Sequence, residues 1–304
     1  MREYIISVLP ICPKTTKKDK EENGTARERG KEMKVLVIDI NKCNGCYNCQ
    51  IGCKDEHMGN DWTPYAKPQP DTGQFWMKVT DLVRGTVPKV KISYMHDICQ
   101  HCDEAPCIPA CGEQAIYKRD DGIVIIDPEK CRGRRNCIDA CPYGVIYFNN
   151  DLNISQKCTM CAHLLDKGWK EPRCVDLCPT EALKFGEEKD LKDLISKAEV
   201  LKPEFKVKPR VYYIGLPKSF VAGAVYDPEE DKCIEGAEIT LTDSETGEKF
   251  TAKTDNFGDF WLKELRVGIY SLLIEKEGYY PQEIKSISTE KDVNVGDIKL
   301  YKKA

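Results

Sequence analysis

The distribution of cysteines constrains this chain more than any other feature of its sequence. The chain has 17 cysteines among 304 residues, and all of them except Cys12 and Cys233 fall into four runs. The runs are Cys43-x2-Cys46-x2-Cys49-x3-Cys53, Cys99-x2-Cys102-x4-Cys107-x3-Cys111, Cys131-x5-Cys137-x3-Cys141-Pro142 and Cys158-x2-Cys161-x12-Cys174-x3-Cys178-Pro179. Such clustering indicates metal binding rather than a disulfide framework.

The spacing of the first run is that of bacterial ferredoxins, and the other three runs are variants of it. Three thiolates on one tight loop can hold one iron-sulfur cluster, while the fourth thiolate reaches a neighbouring cluster. The runs therefore work in pairs, and four runs predict up to four clusters along which electrons could pass. Zinc also binds C-x2-C pairs, but a zinc site does not require a third cysteine two residues on and a fourth before proline.

The third run lacks one cysteine of the ferredoxin spacing. Arg134 stands where the pattern places a cysteine, three residues after Cys131, and a guanidinium is not a usual iron ligand. We expect a 3Fe-4S cluster at this site. A 4Fe-4S cluster with another ligand and an empty site are the alternatives. Cys12 and Cys233 are expected to be free thiols.

Several polar residues lie beside or inside the runs. Lysines precede the first cysteine of three runs, at Lys42, Lys130 and Lys157. They could offset the negative charge of bound clusters, but solvated side chains are the more frequent case. His101 and His163 could donate hydrogen bonds to cluster sulfur, although a surface position is expected for both. The sequence has no nucleophile–base constellation, dinucleotide fingerprint or P-loop, so this chain alone is predicted to have no catalytic site.

Charge and hydropathy argue against several partner classes. The chain carries 46 basic and 50 acidic side chains, and its formal charge of -4 does not favour nucleic acid or an anionic membrane. No apolar stretch approaches the length of a transmembrane helix, and no secretory cleavage site is recognisable. We therefore expect a cytoplasmic protein whose thiols stay reduced. Residues 1–32 are expected to be disordered or a mis-called extension, with Met33 as the true start.

Strand-like segments alternate with the cysteine runs. A strand is predicted over 35–40, and residues 182–185 are expected to return beside it. Two hairpins are predicted, over 115–126 and 145–156. Residues 54–98 form a long insertion whose aromatic side chains are expected to be local core rather than a docking surface. These aromatic residues are Trp62, Tyr65, Phe75 and Trp76.

A different pattern begins after the last run. From 219 to 300, seven short alternating segments separated by turn residues predict a β-sandwich. Residues 187–201 have apolar side chains at helical spacing, so a connecting helix is predicted. The expected fold class is α+β, with a duplicated ferredoxin-like four-cluster domain followed by an all-β sandwich. The expected domains are the extension 1–32, the ferredoxin domain 33–190, a helical linker 191–214 and the sandwich 215–304.

Residues 33–186, with the four runs in this order, resemble the ferredoxin subunits of the dimethyl sulfoxide reductase superfamily of molybdopterin oxidoreductases. In that family the first run pairs with the last, and the second with the third. The implied ligands are Cys43, Cys46, Cys49 and Cys178 for cluster 1; Cys53, Cys158, Cys161 and Cys174 for cluster 2; Cys99, Cys102, Cys107 and Cys141 for cluster 3; and Cys111, Cys131 and Cys137 for an incomplete cluster 4. The last set is similar to a three-cysteine site of the nitrate reductase electron-transfer subunit. A large molybdopterin catalytic subunit is the implied partner.

A second resemblance, to the small-subunit family of pyrogallol-phloroglucinol transhydroxylases, rests on the segments DGIVIIDPEK, CPYGV, QKCTMCAHLLD and KPRVYY. The tail, which contains TDNFGDFWLKEL and GIYSLLIE, is similar to carboxypeptidase regulatory-like and transthyretin-like domains. This implies a sandwich of transthyretin-like or immunoglobulin-like architecture. The chain departs from the small-subunit family because it retains Cys111, Cys131 and Cys137, whereas that family has lost the fourth site. The retained site implies that electrons still leave the complex.

The resemblances predict an iron-sulfur electron-transfer subunit of a soluble molybdenum or tungsten bis-pterin oxidoreductase. A transhydroxylase-like partner that acts on polyhydroxylated aromatics is one version of this prediction. A free-standing polyferredoxin that serves dehydrogenases or hydrogenases is the alternative, and the appended sandwich argues against it. A zinc-bound structural protein is disfavoured by the cysteine spacing. The sandwich is expected to pack against the ferredoxin domain or the partner rather than bind carbohydrate.

Overall fold

The computed structural model describes residues 33–303, so Cys12 and the predicted extension 1–32 lie outside the described residues. The strands are β1 Lys34–Asp39, β2 Met77–Thr86, β3 Lys89–Ile98, β4 Ile116–Lys118, β5 Val124–Ile126, β6 Tyr147–Asn149, β7 Ile154–Gln156, β8 Leu183–Glu187, β9 Glu199–Val200, β10 Val211–Ile214, β11 Ser219–Asp227, β12 Lys232–Cys233, β13 Glu238–Asp243, β14 Lys249–Lys253, β15 Asp259–Leu265, β16 Ile269–Glu275, β17 Gln282–Ser288 and β18 Val293–Lys299. The helices are α1 Asn48–His57, α2 Asn136–Asp139, α3 Ala162–Leu165, α4 Arg173–Asp176 and α5 Lys192–Ile195, with a 3-10 turn at Pro203–Phe205.

The first sheet joins the two ends of the cysteine-rich region. Its order is β8-β1-β10-β9, with β8 antiparallel and β10 parallel to β1. The four central residues of β1 are buried, as expected for a strand of apolar, mostly β-branched residues at the centre of a sheet. The predicted return of residues 182–185 beside the opening strand is confirmed, because β8 pairs with β1 from Leu183 onward.

The helix predicted over 187–201 is wrong for most of its length, and the segment 191–214 is not a helical linker. Only α5 is helical there, while β9 and β10 belong to the first sheet. Helical spacing is a weak local preference, and Glu199 and Val200 instead pair with β10 in the first sheet. The segment is also anchored by Arg210, whose buried guanidinium binds both carboxylate oxygens of Asp103 at 2.6 and 2.8 Å.

Both hairpins predicted between the runs are present, because β4 pairs with β5 and β6 pairs with β7. The insertion contains a third, longer hairpin, in which β2 and β3 pair in register over their full lengths. Trp76 is 2% exposed and belongs to the main core. Trp62 and Tyr65 pack against the same core, which agrees with the expected local packing of these aromatic side chains.

All seven strands predicted after the last run are present, and they form two sheets that share one core. In one sheet, β11 lies between β18 and β15, with the short β12 also paired to β11. The other sheet has the order β14-β13-β16-β17. Along β16, Tyr270, Leu272 and Ile274 are buried while their neighbours are not, which is the period-two pattern of a half-buried strand. The core of this sandwich contains no cysteine.

The sandwich contacts the hairpin of β2 and β3. The Arg84 guanidinium donates to the Asp292 carboxylate at 3.1 Å and to the Lys218 carbonyl at 2.8 Å. Gly85 has a φ of 85°, and a Cβ there would lie 2.7 Å from the Phe220 ring, so only glycine permits this close approach. These contacts agree with the expected packing of the sandwich against the cysteine-rich region.

Candidate iron-sulfur sites

The first cysteine run forms a tight loop that leads into α1. Gly45 and Tyr47 have left-handed backbone, with φ of 71° and 61°, which turns the chain sharply before the helix begins. A Cβ at position 45 would lie 2.3 Å from the Tyr94 ring, so the close contact also requires glycine. The helix then places Cys49 and Cys53 one turn apart on one side, and both thiols are buried.

The third run repeats this loop with one critical side chain changed. Both runs read Cys-x-Gly-x-x-Asn-Cys. Gly133 and Arg135 have φ of 68° and 64°, and α2 begins at the next residue, as α1 begins after Tyr47. Arg134 therefore occupies the backbone position of Cys46. The Arg134 guanidinium lies 2.6 Å from the carboxylate of Glu113.

The first and last runs meet where α1 packs against α4. Burial, together with the neighbouring thiols of Cys43 and Cys178, raises the pKa of the Cys49 thiol to about 12. Burial also raises the pKa of Cys43, with contributions from Cys178 and Cys46. The structure thus brings together a first set of thiols, Cys43, Cys46, Cys49 and Cys178.

The second set of thiols surrounds a cavity beside α1 and β1. Its members are Cys53, Cys158, Cys161 and Cys174. All four are buried, and apolar side chains such as Leu36 and Met77 complete the wall. Burial raises the pKa of Cys53 and Cys174 well above the usual value, and the other thiols of the set add to the effect.

The third set of thiols lines a separate cavity. Its members are Cys99, Cys102, Cys107 and Cys141. Burial, together with the other three thiols, raises the pKa of the Cys102 thiol to about 12. The ring of His101 also lines this cavity. Two of the four sets therefore enclose a space of their own.

The fourth set contains three thiols, Cys111, Cys131 and Cys137. Burial raises the pKa of Cys137, the hydroxyl of Ser155 lowers it, and the neighbouring thiols of Cys131 and Cys111 raise it. Ser155 serves two members of the set, because its N–H donates to Cys131 Sγ at 3.4 Å and its Oγ lies 3.3 Å from Cys137 Sγ.

The four sets follow one another in a row. Burial is the main cause of the raised thiol pKa values, but at Cys174, Cys158 and Cys107 a thiol of a neighbouring set also contributes. The adjacent thiols are Cys49 with Cys174, Cys99 with Cys158, and Cys107 with Cys137. The order of neighbours is therefore first, second, third, fourth.

The donor groups fit iron-sulfur clusters better than single metal ions. Within residues 33–303, no three histidine, cysteine, aspartate or glutamate side chains converge closely enough to hold one metal ion. The thiols of the second and third sets instead stand around cavities with largely apolar walls, and thiolates are the ligands of iron-sulfur clusters. Burial raises the pKa of several of these thiols, among them Cys53 and Cys174, so binding iron must displace protons from them.

The three lysines that precede the runs differ in environment. Lys42 and Lys130 are exposed, as expected. For Lys157 the expectation of a solvated side chain is wrong, because it is 2% exposed and its ammonium donates to the carbonyl oxygens of Val124 and, at 3.0 Å, Cys158. Its charge lowers the pKa of thiols in two sets, although burial raises the pKa of both more strongly. A buried cation thus lies between the second and third sets.

The surface position expected for His101 and His163 is also wrong, since they are 1% and 3% exposed. Tertiary packing decides this: His163 stacks on Trp62 with ring centroids 4.4 Å apart. Reasoning from the spacing missed Ser155, His57 and His96, which contact run cysteines from other segments. The available signal was that the chain has only four histidines, each within four residues of a run cysteine.

Two family models match this chain. Residues 90–188 match the 4Fe-4S dicluster domain, and residues 221–301 match the carboxypeptidase regulatory-like domain. The chain therefore binds 4Fe-4S clusters, and a carboxypeptidase regulatory-like domain follows the cluster-binding region. In the described part of the chain, no helix has both the length and the hydropathy needed to cross a membrane.

Relatives of this chain include small and iron-sulfur subunits of enzymes. The chain is 42% identical to the pyrogallol hydroxytransferase small subunit of Pelobacter acidigallici over 279 residues, which cover 88% of this chain and 100% of that relative. It is 34% identical to a tetrathionate reductase subunit of Salmonella typhimurium, over 62% of this chain and 74% of the relative. It is 32% identical to the arsenate respiratory reductase iron-sulfur subunit of a Shewanella strain, over 59% of this chain and 94% of that relative. This chain belongs to the iron-sulfur subunits of the dimethyl sulfoxide reductase superfamily of molybdopterin oxidoreductases, the family that includes the pyrogallol hydroxytransferase small subunit.

Proposed function

We propose that this chain holds four iron-sulfur clusters in a row and conducts electrons between a molybdenum or tungsten bis-pterin catalytic subunit and a second redox partner. The observation that supports this proposal is the continuous order of the four thiol sets, each adjacent to the next. Bound clusters supply one-electron transfer. The chain supplies thiolate ligands, fixed positions and surroundings from which water is largely excluded.

The first, second and third sets are the proposed ligands of three 4Fe-4S clusters, and the fourth set is the proposed ligand of a 3Fe-4S cluster. Arg134 supports the second assignment, because its position in the loop is that of Cys46 and its guanidinium is paired with Glu113. A guanidinium has no lone pair for iron at physiological pH. The loop of the third run therefore offers two thiolates, and a third comes from another segment. The loop of the first run offers three, and a fourth comes from another segment.

The ferredoxin region is proposed to be duplicated. The shared Cys-x-Gly-x-x-Asn-Cys loops support this, because each leads into a helix that begins at the same position of the motif. For the domains, we propose a cluster domain that starts at residue 33 and extends beyond residue 190 to include β10, followed by a sandwich over 215–304. The paired strands β1 and β10 support the extended boundary.

The proposed partner is a large transhydroxylase-like subunit that acts on polyhydroxylated aromatics, in the cytoplasm. The relative from Pelobacter acidigallici supports this substrate class, because the match extends over its whole length. The large number of unpaired thiols supports a reducing compartment. The sandwich is proposed to stabilise the assembly, since it contacts the β2–β3 hairpin at Arg84 and Gly85.

The deciding experiment is anaerobic purification of the tagged chain from its host, with iron, molybdenum, tungsten and zinc measured on the eluted material. We expect a large partner to co-elute with near-stoichiometric molybdenum or tungsten and with iron. Iron on the chain alone would contradict the subunit proposal and favour a free-standing polyferredoxin. Zinc without iron would contradict cluster binding altogether.

A further inference from the structure

All four histidines of this chain are buried, although histidine is usually at least partly exposed. His57, His96, His101 and His163 are between 0% and 3% exposed. A neutral imidazole has one N–H donor and one acceptor nitrogen.

Two of these rings contact thiols of the first two sets. His96 Nε2 lies 3.9 Å from Cys43 Sγ, and His57 Nε2 lies 3.9 Å from Cys161 Sγ. In both rings the other nitrogen, Nδ1, has no hydrogen-bond partner within the described residues. A metal-bound thiolate can only accept, so a hydrogen bond at these contacts requires the proton on Nε2.

For the third ring, that of His101, a different contact indicates that it faces the third set. His101 Nδ1 accepts the backbone N–H of Val124 at 3.0 Å, so the proton of the neutral ring is on Nε2. That Nε2 is buried without a partner among the described residues, and the ring lines the cavity of the third set. An unsatisfied buried donor costs about 1–3 kcal/mol, which an acceptor sulfur in this cavity would remove.

The fourth ring and the fourth set are arranged differently. His163 Nε2 lies 3.0 Å from the carboxylate of Glu56, and its ring stacks on Trp62. In the fourth set, the Ser155 N–H donates to Cys131 Sγ, and the Cys137 thiol donates to Ser155 Oγ. Each four-thiol set thus has one buried histidine, and the three-thiol set has a serine in its place.

We propose that His57, His96 and His101 are positioning residues, each of which donates its Nε2–H to sulfur at one four-cysteine site and thereby raises the reduction potential of the cluster held there. This inference rests on the proposed assignment of the first three sets to 4Fe-4S clusters. Reduction adds negative charge to a cluster, and a hydrogen bond strengthens as its acceptor becomes more negative. A donor at sulfur therefore favours the reduced state, which is one of the recognised causes of differences in potential between such clusters.

The test is a redox titration of the purified complex, followed by electron paramagnetic resonance, on His57→Phe, His96→Phe and His101→Phe. Each variant should lower the potential of one cluster and leave the others unchanged. We expect the equilibrium constant for reduction to fall about tenfold, which corresponds to about 59 mV for a one-electron couple. His163→Phe is the matched control, since it removes an equally buried ring that has no thiol hydrogen bond among the described residues, and it should shift no potential.

If a phenylalanine variant loses its iron, two amide variants at the same position test the inference instead. Glutamine places an N–H near the position of Nε2, whereas asparagine places it near Nδ1. His→Gln should keep the wild-type potential, and His→Asn at the same position should lower it. Equal potentials in the two amide variants, or wild-type potentials in all phenylalanine variants that keep their iron, would overturn the inference.

Iron content separates this inference from the proposed function. If the wild-type complex lacks the iron and spin intensity of three 4Fe-4S clusters, the cluster assignment fails before the histidines are tested. If the clusters are present and 15N-histidine labelling gives no nitrogen coupling to them in pulsed resonance spectra, the histidine inference fails and the assignment stands. We expect ring-nitrogen coupling at three clusters, and because the chain has only four histidines the label is selective.

Discussion

The loops over 43–49 and 131–137 have the same backbone and differ in what they can bind. Both place a glycine and the residue two positions later in the left-handed region, and both lead into a helix at the same position. Yet one presents Cys46 and the other Arg134 at an exposed position in the middle of the loop. The loop shape is therefore independent of the central cysteine, and a single side chain determines the number of thiolates that the loop offers.

The largest effect is expected from exchanging these two side chains. Arg134→Cys should add a fourth thiolate to the fourth site, so that iron content rises by about one atom per chain and the signal of an oxidised 3Fe-4S cluster disappears. Cys46→Arg should do the reverse at the first site and add a second such signal. Iron analysis and electron paramagnetic resonance of the oxidised protein measure both changes. An unchanged spectrum and iron count in Arg134→Cys would show that the two loops are not equivalent.

Gly45→Ala and Gly133→Ala test whether the shared backbone is essential in both loops. A left-handed alanine costs roughly 1–2 kcal/mol. The added Cβ would also lie 2.3 Å from the far edge of the Tyr94 ring in the first loop, but 2.6 Å from the backbone oxygen of Asn153 in the third. A ring can move more easily than a backbone in a hairpin, so Gly133→Ala should lower the thermal unfolding temperature more.

Gly112→Ala is the matched control for the glycine variants. Its Cβ would meet nothing within 4 Å, and no left-handed backbone is involved there. It should unfold at nearly the same temperature as the wild-type protein. If Gly133→Ala unfolds at the temperature of Gly112→Ala, the backbone similarity of the two loops has no energetic importance.

Ser155→Ala sharpens the contrast between the three-thiol set and the others. It removes the hydroxyl near Cys137 and leaves the backbone N–H that serves Cys131. A neutral hydrogen bond contributes about 0.5–1.5 kcal/mol, so the equilibrium constant for reduction of the fourth cluster should fall by less than about tenfold. A redox titration measures it, with the other three clusters as internal references. A shift at any of those references instead would contradict the placement of Ser155.

The smallest effect is expected from Arg134→Ala. The ion pair with Glu113 is solvent-exposed, with 68% of the arginine side chain accessible, and such pairs contribute about 0–1 kcal/mol. Iron content and the resonance spectrum should therefore remain unchanged, and Glu113→Ala should behave in the same way. Loss of the fourth cluster in Arg134→Ala alone would show that the guanidinium takes part in the site.

Features with a local cause were predictable. The spacing of Cys43, Cys46 and Cys49 requires a tight loop, and the alternation of residues 219–300 requires strands, so both were recognised from neighbouring residues alone. The helix over 187–201 was predicted wrongly for the opposite reason. Its local pattern is helical, but Glu199 and Val200 pair with β10 at the edge of the first sheet.

The sequence by itself determined the four cysteine runs, the arginine that replaces a cysteine at position 134 and the strands of the sandwich, because these depend on residue identity and short-range periodicity. Only the tertiary structure decided which polar groups accompany each set. His96 reaches Cys43 across 53 residues and His57 reaches Cys161 across 104, while Lys157, next to a cysteine in sequence, is drawn into the interior by carbonyl oxygens. Such contacts follow from how the segments pack around the sets, which neighbouring residues alone do not specify.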